Sequence, residues 1–204
     1  MISAWNLIGL SVWAIIGGYL IYLIFAIRNR KRQAMRQQDN KLAKQNLIIS
    51  IFQGLGLAVA IILMVTVTLL NDKSTSNVSV VRSYRPIALD TNGRKSYYVN
   101  VYNDKRQPTR QYYTYLTRGK HYRIASGSSM IISSGVNVSL PIATYHSDVN
   151  RMKQLDHKYQ KAWVETISAK YKPSVLNGLG LKVGRQASYY VLIRVPNQSF
   201  IYYH

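Results

Sequence analysis

"LIGLSVWAIIGGYLIYLIFAI", residues 7–27, is a run of 21 residues without a charge, and its reading decides the fold. At about 1.5 Å of rise per residue, a helix of that length crosses a hydrocarbon core of roughly 30 Å. A second uncharged run, "LIISIFQGLGLAVAIILMVTVTLL", covers 24 residues at 47–70. Two such runs in a chain of 204 residues favour membrane spans over the buried helices of a soluble core. A cleaved signal peptide fits poorly. No basic segment precedes the first run, and its polar exit is "RNRKR" instead of a small-residue cleavage site. Trp5 and Trp13 suit an interfacial belt at the start of the first span.

Between the runs lies "RNRKRQAMRQQDNKLAK", residues 28–44, with seven Lys/Arg and one acid. The far flanks are nearly bare of positive charge: residues 1–6 hold none, and "NDKSTSNVSV" after the second run holds one. The positive-inside rule therefore predicts a cytosolic loop at 28–46, with the N-terminus and everything after residue 70 outside. A loop tied to the bilayer at both ends is ill suited to tracking a duplex. Arg28, Arg30, Lys31, Arg32, Arg36, Lys41 and Lys44 are the expected contacts to anionic lipid headgroups, each contributing about 1 kcal/mol near the surface.

Small residues suggest how the two spans close into a hairpin. Ala14 and Gly18 lie four apart on the first; Gly54 and Ala58, and Gly56 and Ala60, lie four apart on the second. In an antiparallel pair, Gly18 and Gly56 fall at similar depth, where two backbones can approach closely.

Beyond the hairpin the composition changes. Of the 27 Lys/Arg and 7 acids, 20 and 6 lie from Asn71 onward, a local net charge of +14, together with 15 of the 17 tyrosines. "NDKSTSN" (71–77) reads as a polar linker. Residues 78–204 then read as a β-rich α+β extracytoplasmic domain of five to seven short, mainly antiparallel strands and one long amphipathic helix. The strand signals are "VSVVRSY", an Asn92-Gly93 turn, "KSYYVNVYN", "QYYTYLT" and "HYRIA" about Arg-Gly-Lys, "SMIISS", "VNVSLPI" and "ASYYVLIRVP". "SDVNRMKQLDHKYQKAWVETISAKYKP" predicts one helix capped by Ser147 and ended by Pro173. Met152, Leu155, Tyr159, Trp163 and Ile167 form its apolar stripe, which is expected to pack against the sheet. "VLNGLGLKVG" reads as a glycine-rich connection.

Chemistry is scarce in this sequence. The absence of cysteine excludes disulfides, thiolate metal sites and cysteine nucleophiles. No histidine spacing suggests a metal centre, and no cofactor or catalytic residue is expected. An envelope hydrolase built on His146, Asp148 or a serine of "SGSSM" (126–130) ranks well behind, because the segment lacks the second glycine of a nucleophile elbow. Tyrosine interleaved with Lys/Arg suits contact with an anionic wall polymer, while a partner membrane protein such as a transporter is the other expectation. Single-stranded nucleic acid would suit the same chemistry only if the topology were inverted.

In layout, and in "YKPSVLNGLGLKVGRQASYYVLIRVP" (171–196), the chain resembles a family of uncharacterised two-span membrane proteins from lactic-acid bacteria and related Firmicutes, a domain of unknown function. The resemblance implies a bacterial plasma-membrane protein and brings no activity with it. The aromatic residue that often follows Val-Pro in that family is absent after Val195-Pro196.

Overall fold

A computed structural model of the protein describes residues 3–37, 40–70, 73–92, 95–103, 110–135 and 148–203. The chain divides into two compact units: residues 1–72 with 171–185, and residues 73–170 with 186–204.

The first unit is a helical hairpin with an insertion from later in the chain. Helix α1 covers Ala4–Gln37 and helix α2 covers Asn40–Leu69. Both are long and apolar enough to cross a membrane, with mean hydropathies of 2.2 and 2.5 over their most apolar windows. Most of the basic segment expected as a loop at 28–46 is helical: α1 runs on through Arg28, Arg30, Lys31 and Arg32, and α2 already contains Lys41 and Lys44. Arg, Lys, Gln, Ala and Met are good helix formers, and neither glycine nor proline interrupts them. Leu23, Leu57 and Met64 are buried within the unit. Arg30 Nη1 crosses the hairpin to Gln53 Oε1 at 2.8 Å and Ser50 Oγ at 3.4 Å.

The insertion, residues 171–185, carries the short helix α4 (Val175–Leu179), with Ser174 Oγ capping the amide of Asn177. This segment of the expected glycine-rich connection packs on the open end of the hairpin. A β-carbon added at Gly178 would stand 2.5 Å from the Trp5 carbonyl oxygen, and one at Gly9 would stand 2.2 Å from that of Gly178. Only glycine at both positions lets the two backbones meet. Asn6 fastens the contact in both directions: its Nδ2 donates to Val183 O at 3.1 Å, and its Oδ1 accepts from Val183 N at 3.2 Å. The Lys182 ammonium donates to Val67 O at 3.0 Å and to Leu70 O. It thereby caps carbonyls that the end of α2 leaves without a helical partner.

The second unit is β-rich, with ten strands among the described residues where five to seven were expected. They are β1 (Val78–Pro86), β2 (Asp90–Asn92), β3 (Lys95–Tyr97), β4 (Val99–Asn103), β5 (Gln111–Thr117), β6 (Lys120–Ala125), β7 (Ser129–Ile132), β8 (Trp163–Tyr171), β9 (Gln186–Arg194) and β10 (Ile201–Tyr203). There are two four-stranded sheets, ordered β1-β8-β9-β7 and β10-β4-β5-β6, and a separate two-stranded β2-β3 sheet. The sheets are mixed: β7 pairs with β9, and β10 with β4, in parallel. Val99, Val101 and Tyr115 of one sheet share a core with Val164, Val191 and Ile193 of the other.

The long helix expected from 147 to 172 is two elements. Helix α3 covers Val149–Lys158, capped by Asp148, whose carboxylate accepts from the amides of Asn150 and Arg151. Gln160 and Lys161 then take left-handed backbone angles, φ 49° and 62°, and the chain turns into β8. The β-branched Val164, Thr166 and Ile167 favour a strand there. Met152 and Leu155 of the expected stripe are buried on α3, while Trp163 and Ile167 are buried on β8. Ser147, Gly93 of the Asn92-Gly93 turn, the turn at 104–108 and all of "VNVSLPI" (136–142) fall outside the described residues.

Charged groups join α3 to the β1-β8-β9-β7 sheet. Arg194, 3% exposed, donates from Nη2 to Asp156 Oδ2 at 2.9 Å and from Nε to Oδ1 at 3.2 Å. The Trp163 indole donates to the same carboxylate at 2.8 Å. Glu165, 1% exposed, accepts from Arg82 at 2.7 Å.

Candidate functional site

The β10-β4-β5-β6 sheet has two unlike faces, set by the period-two alternation of its strands. Val99, Val101, Tyr113, Tyr115 and Ile124 point to the core. Asn100, Tyr102, Tyr112, Thr114 and Arg123 alternate with them onto the other face, and Tyr202 joins them through its pairing with Asn100.

On that face Tyr102 and Tyr112 sit opposite each other in the β4–β5 register and stack, with ring centroids 5.8 Å apart and an interplanar angle of 24°. Arg123, one strand further and exposed, lays its guanidinium 4.0 Å from the Tyr112 centroid and 4.9 Å from that of Tyr102. Across the sheet Tyr202 stacks on Tyr97 at 5.5 Å, with the exposed Lys95 ammonium 4.3 Å from the Tyr202 centroid. Half-buried aromatic rings with cations over their faces result at both sides of the sheet. A guanidinium stacked on a ring keeps its in-plane N–H donors available to phosphate or carboxylate. Asn100, between the two clusters, has a buried side-chain oxygen without a hydrogen-bond partner.

The opposite face has different electrostatics. Burial pushes the Tyr115 phenol up to about 12, helped by Tyr189 and Tyr122 nearby, and raises Tyr113 and Tyr190 in the same way. A raised folded-state value leaves stability intact below pH 10 and erodes it as the unfolded phenol ionises and the folded one does not. Between pH 10 and 12 the β-rich unit is therefore expected to lose up to roughly 2–3 kcal/mol through Tyr115, two pH units at about 1.4 kcal/mol each. Equilibrium unfolding at pH 9 to 12 checks this. A Tyr115→Phe protein with an unchanged slope would refute it.

The residues singled out in the sequence are placed as follows. Ala14, Gly18, Gly56 and Ala58 are exposed, and Gly54 and Ala60 half-buried. A β-carbon at Gly18, Gly54 or Gly56 would meet nothing within 4 Å, so these glycines are not where backbones close up. Gly56 and Ala60 instead line a groove of 390 Å³ between the helices with Ile15, Tyr19, Phe52 and Gln53. The close approach belongs to Gly9 and Gly178, which lie 169 positions apart and share no local spacing signal. Arg28, Lys31, Arg32, Lys41 and Lys44 are exposed, Arg30 is engaged with Gln53, and the side chain of Arg36 lies outside the described residues. Of the hydrolase candidates, Asp148 caps α3, Ser129 donates to Ala125 O at 2.7 Å, and His146 is outside the described residues.

A family model for uncharacterised proteins matches residues 4–202, nearly the whole chain. The chain belongs to that family. Membership spans both the hairpin and the β-rich unit, including the 171–185 insertion. No curated protein and no solved structure matches the chain.

Proposed function

We propose that this family member is a two-pass plasma-membrane protein of a Gram-positive cell envelope, with the basic 28–44 segment in the cytosol. Its β-rich domain then lies outside and binds an anionic wall polymer. The observation that carries this reading is the Arg123 guanidinium over the stacked Tyr102 and Tyr112 rings on an exposed sheet face. Phosphate groups meet the cations, and the polyol or sugar units between them lie on the rings. The local net charge of +14 supports recruitment of a polyanion over long range. A partner membrane protein such as a transporter is the other reading, favoured by the exposed apolar surfaces of α1 and α2.

Binding of the full chain in nanodiscs to poly(glycerol phosphate), with dextran as the uncharged control, tests the site. Arg123→Ala and Tyr112→Ala are each expected to weaken binding several-fold. Raising salt from 0.05 to about 0.5 M should abolish it, since exposed charge pairs are screened. Binding that ignores both salt and Arg123 points to a packed protein interface instead. Single cysteines at Ser128 and Gln37, labelled on intact cells by an impermeant maleimide, test the sidedness. Labelling at 37 and not at 128 would reverse the topology and make single-stranded nucleic acid the leading ligand of the same face.

A further inference from the structure

On the reading that α1 and α2 cross a membrane, we propose that the insertion 171–185 is a third membrane-embedded element. Its helix α4 sits in the boundary of the leaflet at the open end of the hairpin, with Val175 and Leu176 against lipid acyl chains.

The first argument is depth. Gly178 meets α1 at Trp5 and Gly9, and Gly180 approaches the Val67 carbonyl to within 3.1 Å of an added β-carbon. Gly9 is the third residue of the uncharged run that begins at Leu7, and Val67 lies three residues before the end of the run at Leu70. At 1.5 Å per residue, α4 contacts the hairpin about 3–5 Å inside the ends of the apolar runs.

The second is which side of α4 faces outward. Asn177 and Gly178 are buried, Gly178 against Trp5 of α1, while Val175 is 55% and Leu176 62% exposed. Two adjacent large apolar residues, each more than half exposed, leave the outward side of α4 apolar. In the same unit Leu7, Ile8 and Leu10, which flank the Gly9 contact in sequence, are 47–57% exposed. A lipid phase covers all of these exposed apolar residues at once.

The third is backbone satisfaction, which a segment at that depth requires. The amides of Gly178, Gly180, Leu181 and Lys182 donate to the carbonyls of Ser174, Leu176, Gly178 and Asn177. Asn177 Nδ2 donates to Lys172 O at 3.0 Å, and Val183 N to Asn6 Oδ1. The Lys182 ammonium is turned inward to the α2 carbonyls and leaves the outward side of α4 without a charge. Arg185, at the end of the segment, is exposed and able to reach headgroups.

The chain has no cysteine, so single-cysteine variants carry one nitroxide each. Leu176→Cys, Phe52→Cys as a mid-span reference and Lys120→Cys as an aqueous reference are reconstituted into vesicles of phosphatidylcholine with phosphatidylglycerol. Collision rates with oxygen and a nickel chelate then give the depth of each label. Position 176 is expected about 5–10 Å below the headgroup boundary, between the two references. A label at 176 that behaves like Lys120 while Phe52 is in lipid overturns the inference and leaves the hairpin intact. Shielding of 176 from both reagents overturns it in favour of a protein contact. If Phe52 also collides freely with nickel, the membrane reading falls and takes this one with it.

Discussion

Asp156→Ala is expected to destabilise the β-rich unit by about 3–5 kcal/mol, the range for removing one partner of a buried ion pair. Arg194 is 3% exposed and lies on β9, where water cannot replace the lost carboxylate. Its Nη1 is already buried without an acceptor, so Asp156 supplies all of its ionic partnering among the described residues. The same substitution strands the Trp163 indole N–H, which is equally buried. Asp156→Asn keeps an acceptor for the indole and loses only the charge, so it should fall between wild type and alanine. Denaturant unfolding followed by tryptophan fluorescence measures the series. A loss below about 1 kcal/mol for the alanine would mean that Arg194 finds another partner.

Gly178→Ala is expected to cost about 3 kcal/mol, the upper part of the range for forcing atoms into a filled space. The new methyl would stand 2.5 Å from the Trp5 carbonyl oxygen, which is backbone and cannot rotate away. Gly9→Ala should behave alike, since its methyl would stand 2.2 Å from the Gly178 oxygen. Gly180→Ala, at 3.1 Å from Val67 O, should cost less, and Gly18→Ala, with nothing within 4 Å, should be neutral or slightly stabilising. Release of α4 exposes the half-buried Lys172 and the buried Lys182, so the rate of tryptic cleavage after these two lysines reports the change directly. Equal cleavage of Gly178→Ala and Gly18→Ala would refute the role given to the glycine contact.

What the sequence disclosed follows from the range of the forces involved. Uncharged runs at 7–27 and 47–70 announce their helices because length and hydropathy are local properties. The β-rich character of 78–132 was legible for the same reason, in alternation such as Val99–Asn100–Val101–Tyr102. The stripe Tyr159, Trp163 and Ile167 misled because a spacing of four fits both the helix repeat and a multiple of the strand repeat. The break at Gln160 and Lys161 has no glycine or proline to mark it. Basic residues at 28–44 signalled charge but not conformation, and helix propensity carried both helices through most of the segment. The Tyr–Arg face was visible only as composition. Its register, which puts Tyr102 against Tyr112 and Arg123 one strand away, is a tertiary fact.

The bond between Asn6 and Val183 spans 177 positions. The hairpin helices are thus made well before their cap. At a synthesis rate of roughly 5–20 residues per second, α1 waits on the order of ten to thirty seconds for α4. During that interval the backbone around Gly9 has no α4 against it, and the Val67 and Leu70 carbonyls have no lysine. The open end of the hairpin is therefore finished only after β1 to β8 have been synthesised, and before β9 and β10 are.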